Sequence, residues 1–139
     1  MIQTLTRYAP YGLALLRIVT ALLFIEHGTQ KLFGFPAMQA TAQGAPSGGL
    51  SLIMLIGGLL EVGGGAAILI GLFTRPVAFI LAGEMAVAYW FMHVPMGGFF
   101  PINNGGDSAI LFCFVFLYLV VAGPGAWSVD VALKREGAR

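Results

Sequence analysis

Four long apolar stretches dominate the chain: Tyr11 to Phe33, Leu50 to Phe73, Pro76 to Val94, and about Asn104 to Gly123. A helix rising 1.5 Å per residue needs about 20 residues to cross ~30 Å of hydrocarbon, and each stretch is of that order. The second carries one charge, Glu61, the third one, Glu84, and the fourth none from Ser108 onward. The pattern predicts an all-α membrane protein, a bundle of four transmembrane helices at about 11–33, 50–73, 76–94 and 104–123, forming one domain over residues 1–139. Arg17 interrupts the first run, and the A-x-A string at Ala40 to Ala42 lies too far beyond its end to mark cleavage. The first stretch is therefore expected to be a span and not a cleaved signal.

The connections agree. Residues 35–49 are rich in Gly, Ala, Pro, Gln and Ser, and Thr74-Arg75-Pro76 makes a tight break with proline suited to a first helical turn. Val94 to Asp107 interleaves Gly and Pro with Phe99 and Phe100, which predicts an irregular loop at the membrane interface. Arg7, Arg75, Lys134, Arg135 and Arg139 fall on one side of the bundle and Lys31 on the other. The excess of basic residues puts both termini in the cytoplasm and the chain in the inner membrane as a multi-pass protein. Gly63, Ala67 and Gly71 on the second span, and Ala78, Ala82 and Ala86 on the third, are expected to let helices approach closely in the bundle core, with homo-oligomerisation as the alternative use.

Composition sharpens this reading. Hydrophobic residues make up 58% of the chain and charged residues 9%, against about 25% charged in soluble domains, so a water-facing globular surface is excluded. The net charge is +1 with no basic run, which leaves nucleic-acid binding unsupported. A lone Cys113 excludes an internal disulfide, a CxxC relay and a cysteine zinc site. No haem, metal or nucleotide motif is present.

The informative residues are the polar ones inside the hydrocarbon, each costing about 2.5–3.5 kcal/mol at a helix centre. Glu61 and Glu84 fall near the midplane, and Arg17 lies toward the cytoplasm. The economical arrangement is inward, with Arg17 against Glu61 or Glu84, since a buried guanidinium cannot shed its proton. Toward the outer end, Glu26 and Gln30, and His27 and Lys31, stand four apart on shared helical faces. His93 ends the third span on that side, where Asn104 and Asp107 open the fourth. Together Arg17, Glu26, His27, Lys31, Glu61, Glu84, His93, Asn104 and Asp107 form a candidate intramembrane polar pocket. A quinone headgroup suits it better than a metal or a haem, because it needs one or two polar partners and an apolar slot. Phe24, Tyr89, Trp90, Phe91, Met92, Phe99 and Phe100 are the candidate lining. A short echo, His27 before Phe35-Pro36 and His93 before Phe100-Pro101, hints at two related helix pairs.

The string Leu15-Leu16-Arg17-Ile18, followed by Glu26-His27-Gly28-x-x-Lys31-Leu32-Phe33-Gly34, resembles the opening signature of the DoxX family of small bacterial membrane proteins. Glu61-x-x-Gly64 with Gly71 and Thr74-Arg75 extends the similarity. So do Gly98-Phe99-Phe100-Pro101 before Asn104-Gly105-Gly106-Asp107, and Gly123-Pro124-Gly125-Ala126-Trp127-Ser128-Val129-Asp130. The resemblance implies a four-helix membrane protein of a family associated with a subunit of thiosulfate:quinone oxidoreductase and with quinone or thiol stress. Where relatives are expected to carry Glu at the fourth span, this chain has Asp107.

The expected function is a membrane subunit linked to quinone-dependent redox or thiol and sulfur metabolism, holding a quinone or small apolar ligand. Two other classes compete. One is a small transporter or proton conductor using Arg17, Glu61 and Glu84; the other is an anchor for a soluble oxidoreductase, docking through Phe99 to Asp107 or the tail from Asp130 to Arg139. Catalysis by this chain alone has no motif to support it.

Overall fold

The computed structural model describes residues 5–37 and 51–137. Among them every regular element is helical: α1 (Ala9–Phe33), α2 (Leu52–Ile70), α3 (Thr74–Ala88), α4 (Val94–Gly97), α5 (Pro101–Asn104), α6 (Asp107–Ala122) and α7 (Val129–Gly137). Three segments are long and apolar enough to cross a membrane: Ala9–Phe33, Leu52–Ile70 and Thr74–Gly97. The apolar α6 has 16 residues, about 24 Å at 1.5 Å per residue. The expected start of the second span at residue 50, and residues 38–49 of the expected first connection, lie outside the described residues.

Local chemistry sets the helix ends. Pro10 occupies the first turn of α1, where its missing N–H costs nothing. Gly34, at φ 66°, terminates that helix in the left-handed conformation and returns its N–H to Gln30 O at 3.0 Å. Ser51 opens α2, its Oγ accepting from Met54 N at 3.3 Å. The third span differs from a uniform helix ending at residue 94. Pro95 has no N–H to give, and Tyr89–His93 forms a π-helical turn just before it, with Val94 N bonding Tyr89 O. The helix then continues to Gly97.

The supposed irregular loop contains α4 and the short α5, and the fourth apolar helix starts at Asp107, not residue 104. Most of the polar tail is helical, over Val129–Gly137. Asp130 there accepts the free N–H groups of Phe73 and Thr74 at 2.8 and 2.9 Å, capping α3 from a distant part of the chain.

The helices associate as two intimate pairs, α1 with α2 and α3 with α6, joined mainly through α2 and α3. In lipid the contact must come from close packing, since hydrocarbon surrounds every outer face. Gly28 supplies it between α1 and α2: a Cβ there would stand 2.7 Å from Val62 Cγ2 and 2.9 Å from Gly58 O. Gly65 plays the same part against Ile25, and Gly64 lets α2 approach α3 at Leu81. Ala78 and Ala82 are buried as expected. Gly63 is not a contact residue, because a Cβ there would meet nothing within 4 Å.

Candidate functional site

The antiparallel pairing of α1 and α2 decides which charges meet. Running in opposite directions, they set Gly28 beside Gly58 and Glu61, and Arg17 beside the last turn of α2. Arg17 and Lys31 are 14 residues apart on α1, or about 21 Å along the axis. Only one of them can reach Glu61, and it is Lys31: Nζ lies 2.6 Å from Glu61 Oε1, with the Glu61 side chain 2% exposed. The expected pairing of Arg17 with Glu61 or Glu84 is therefore overturned by helix register.

Arg17 serves another end. Fully buried, it donates Nη1 to Ile68 O and Leu69 O, Nε to Pro124 O at 2.8 Å, and Nη2 to Trp127 O at 2.8 Å and Ala126 O at 3.4 Å. It satisfies carbonyls that the end of α2 leaves without partners and ties them to the segment before α7. Arg75 does the same at the end of α6, donating Nη1 to Val120 O and Val121 O. Arg17 thus leaves the candidate pocket and joins the framework.

The remaining residues divide. Glu84 comes to the same spot as the ion pair: a Cβ on Gly57 would lie 3.4 Å from Glu84 Oε1 and 3.9 Å from Lys31 Nζ. One oxygen of each acid, Glu61 Oε2 and Glu84 Oε2, is buried without a hydrogen-bond partner. His27 Nδ1 contacts Leu23 O at 2.8 Å, and its ring packs edge-on against Phe112 at 5.5 Å. His93 Nδ1 contacts Asn104 O at 3.1 Å. Asn104 is held in turn by donating to Gly98 O at 2.7 Å and accepting from Gly106 N at 2.8 Å.

A cavity of about 310 Å³ brings the central group together. Lys31, Glu61, His27 and His93 give it polar walls, and Phe24 and Phe112 give it aromatic ones. Glu26 stands apart, exposed, in a shallower recess of about 200 Å³ with His27, Gln30 and Pro36. Asp107 is exposed in the first turn of α6, where its charge complements the helix dipole. Of the expected pocket residues, Glu26, Glu84, Asn104 and Asp107 do not line the larger cavity.

The aromatic expectation also splits. Phe24 lines the cavity, whereas Tyr89 is buried in the core with its hydroxyl donating to Phe99 O. Trp90, Phe91, Met92, Phe99 and Phe100 are outward. Reading the aromatic run after Tyr89 misses Phe112 and Ser108, both on the cavity wall. Their four-residue spacing with Phe116 marks one face of α6, and Phe24 meets Phe112 and Phe116 at 5.2 and 4.9 Å. No cluster of three or more His, Cys, Asp or Glu suited to a metal occurs among the described residues.

Membrane-length helices packed through glycine contacts, lining a cavity with a partly buried ion pair, define an all-helical multi-pass membrane protein with a polar site between its helices. The model of the DoxX family matches residues 12–94, and the chain belongs to that family. It is 46% identical over 130 residues to an uncharacterized protein of Haemophilus influenzae, covering 92% of this chain and 95% of that one. It is also 32% identical to inner membrane protein YqjF of Escherichia coli, covering 90% and 94%, and 33% identical to inner membrane protein YphA of the same organism, covering 87% and 89%. No solved structure gives a significant match. With relatives named as inner membrane proteins and three apolar helices of spanning length, this chain is an inner-membrane, multi-pass protein.

Proposed function

We propose that the chain is a membrane subunit of quinone-linked redox or thiol and sulfur metabolism. In this reading it holds the headgroup of a quinone, or a small apolar ligand of similar shape, between α1, α2, the third span and α6. One observation carries it: the 310 Å³ cavity joins the Lys31–Glu61 pair and two histidines to walls of Phe24 and Phe112. Small-molecule sites are apolar hollows with a few placed polar groups, at about 300–1,000 Å³. This volume is at the low end, which suits a ring and leaves an isoprenoid tail to lie among the lipids. The quinone would supply the electron chemistry; the chain's own part is to bind, orient and exclude water.

The same reading takes α6 as a fourth span and both termini as cytoplasmic. It leaves the electron donor to a soluble oxidoreductase partner. The test is titration of the purified protein with a short-chain quinone analogue in either redox form, followed by intrinsic fluorescence, with mass spectrometry of the co-purifying organic extract. Saturable quenching that is weakened in Lys31→Ala is the expected result; no response to either form and an extract of phospholipid alone would overturn the proposal.

A second reading, proton conduction, draws on the unpartnered buried oxygens of Glu61 and Glu84. Its test is proton flux into vesicles containing the protein, abolished in Glu61→Gln. It fails if flux equals that of empty vesicles.

A further inference from the structure

We propose that the cavity selects ligands that bring hydrogen-bond donors, so that the reduced, dihydroxy form of a quinone-type ring binds more tightly than the oxidised dicarbonyl form. This rests on the ligand-binding reading above and adds the protonation state of what the site accepts. The reasoning begins with the two histidines on its wall. His27 Nδ1 is 2.8 Å from Leu23 O, and His93 Nδ1 is 3.1 Å from Asn104 O. A carbonyl oxygen can only accept, so in each ring Nδ1 must carry the proton. A neutral imidazole with Nδ1 protonated has a bare lone pair on Nε2. In that neutral form each ring, its Nδ1–H held by Leu23 O on α1 or by Asn104 O on α5, has Nε2 left as an acceptor for a ligand.

Glu61 points the same way. Its Oε1 accepts a hydrogen bond from Lys31 Nζ at 2.6 Å, while Oε2 is buried with no partner. Leaving such an oxygen unsatisfied is costly, and a ligand hydroxyl would relieve that cost. Against these three acceptors the wall offers the Lys31 ammonium, already committed in part to Glu61, and the Ser108 hydroxyl, which can turn either way. A dicarbonyl ring finds donors only in Lys31 and Ser108 and meets lone pairs elsewhere on the wall. A dihydroxy ring of the same shape donates to them.

The experiment compares one water-soluble quinone with its own hydroquinone under anaerobic conditions, titrating each into the purified full-length protein. The reduced form is expected to bind about tenfold more tightly, the worth of one good hydrogen bond. His93→Phe or His27→Phe, whichever retains the wild-type melting temperature, should bring that ratio toward unity. Equal or tighter binding of the oxidised form overturns the inference while leaving ligand binding intact. Failure of both forms to bind overturns it together with the ligand-binding proposal.

Discussion

Replacing Arg17 by alanine removes in one step the donors to five backbone carbonyls, those of Ile68, Leu69, Pro124, Ala126 and Trp127. Hydrogen bonds to a charged group are worth about 1.5–3 kcal/mol each, and a buried acceptor left unpaired costs about 1–3 kcal/mol. Water can re-satisfy the carbonyls of the 124–127 segment once the side chain is gone. Ile68 is itself fully buried, so the two carbonyls at the end of α2 are the ones most nearly sealed off. Two such acceptors plus the lost packing of a fully buried side chain give a loss of about 4–7 kcal/mol, against a total stability of about 5–15 kcal/mol. At about 3–5 °C per kcal/mol for a chain of this size, Arg17→Ala should melt roughly 15 °C or more below wild type. Arg17→Lys should recover less than half of that, because an ammonium is a point donor and cannot span from α2 to Trp127. The assay is thermal unfolding in mild detergent followed by fluorescence and by size-exclusion monodispersity. A melting temperature of Arg17→Ala within about 3 °C of wild type would refute the assignment of Arg17 to the framework, given the magnitudes above.

Three further outcomes follow from named contacts. Lys31→Met should destabilise by about 1–3 kcal/mol by leaving the buried Glu61 carboxyl without its partner, whereas Lys31→Met with Glu61→Gln should regain most of it; a double variant no more stable than the single would count against the pair. Gly28→Ala places a methyl 2.7 Å from Val62 Cγ2 and 2.9 Å from Gly58 O, so overpacking should cost about 1–3 kcal/mol, measured as a lowered unfolding midpoint; an unchanged midpoint would show that α1 and α2 part freely. Burial alone would raise the Asp130 pKa, but the amide bonds from Thr74 and Phe73 and the nearby Lys134 hold it below the ordinary carboxylate value. Its capping contribution, about 0.5–2 kcal/mol, is then present above pH ~4 and is lost as pH falls through the folded value. Asp130→Asn should be less stable at pH 7 and lose less on acidification; matching pH profiles for the two proteins would contradict this.

Much of this protein is legible without a fold. Apolar runs of spanning length point to membrane helices, because hydrocarbon forces every backbone group to bond within its own segment, and the first three such runs are where helices of that length occur. The residue types of the site were legible too, since an ionisable group in hydrocarbon is costly enough to stand out: Lys31, Glu61, His27 and His93 all reach one cavity. What tertiary structure alone decided was partnership. Whether Arg17 or Lys31 meets Glu61 depends on the register of two antiparallel helices, set by the close approach at Gly28, Gly58 and Gly65, and two cations on one helix carry no sign of which end faces the acid. The same holds for Asp130, which reads as part of a polar tail until the chain folds back and delivers it to the N–H groups of Phe73 and Thr74. It holds for Phe112, whose place on the cavity wall depends on which face of α6 turns toward α1. Period and hydropathy belong to a single helix and survive in the sequence. Register and facing are relations between helices, fixed by packing contacts that lie far apart along the chain.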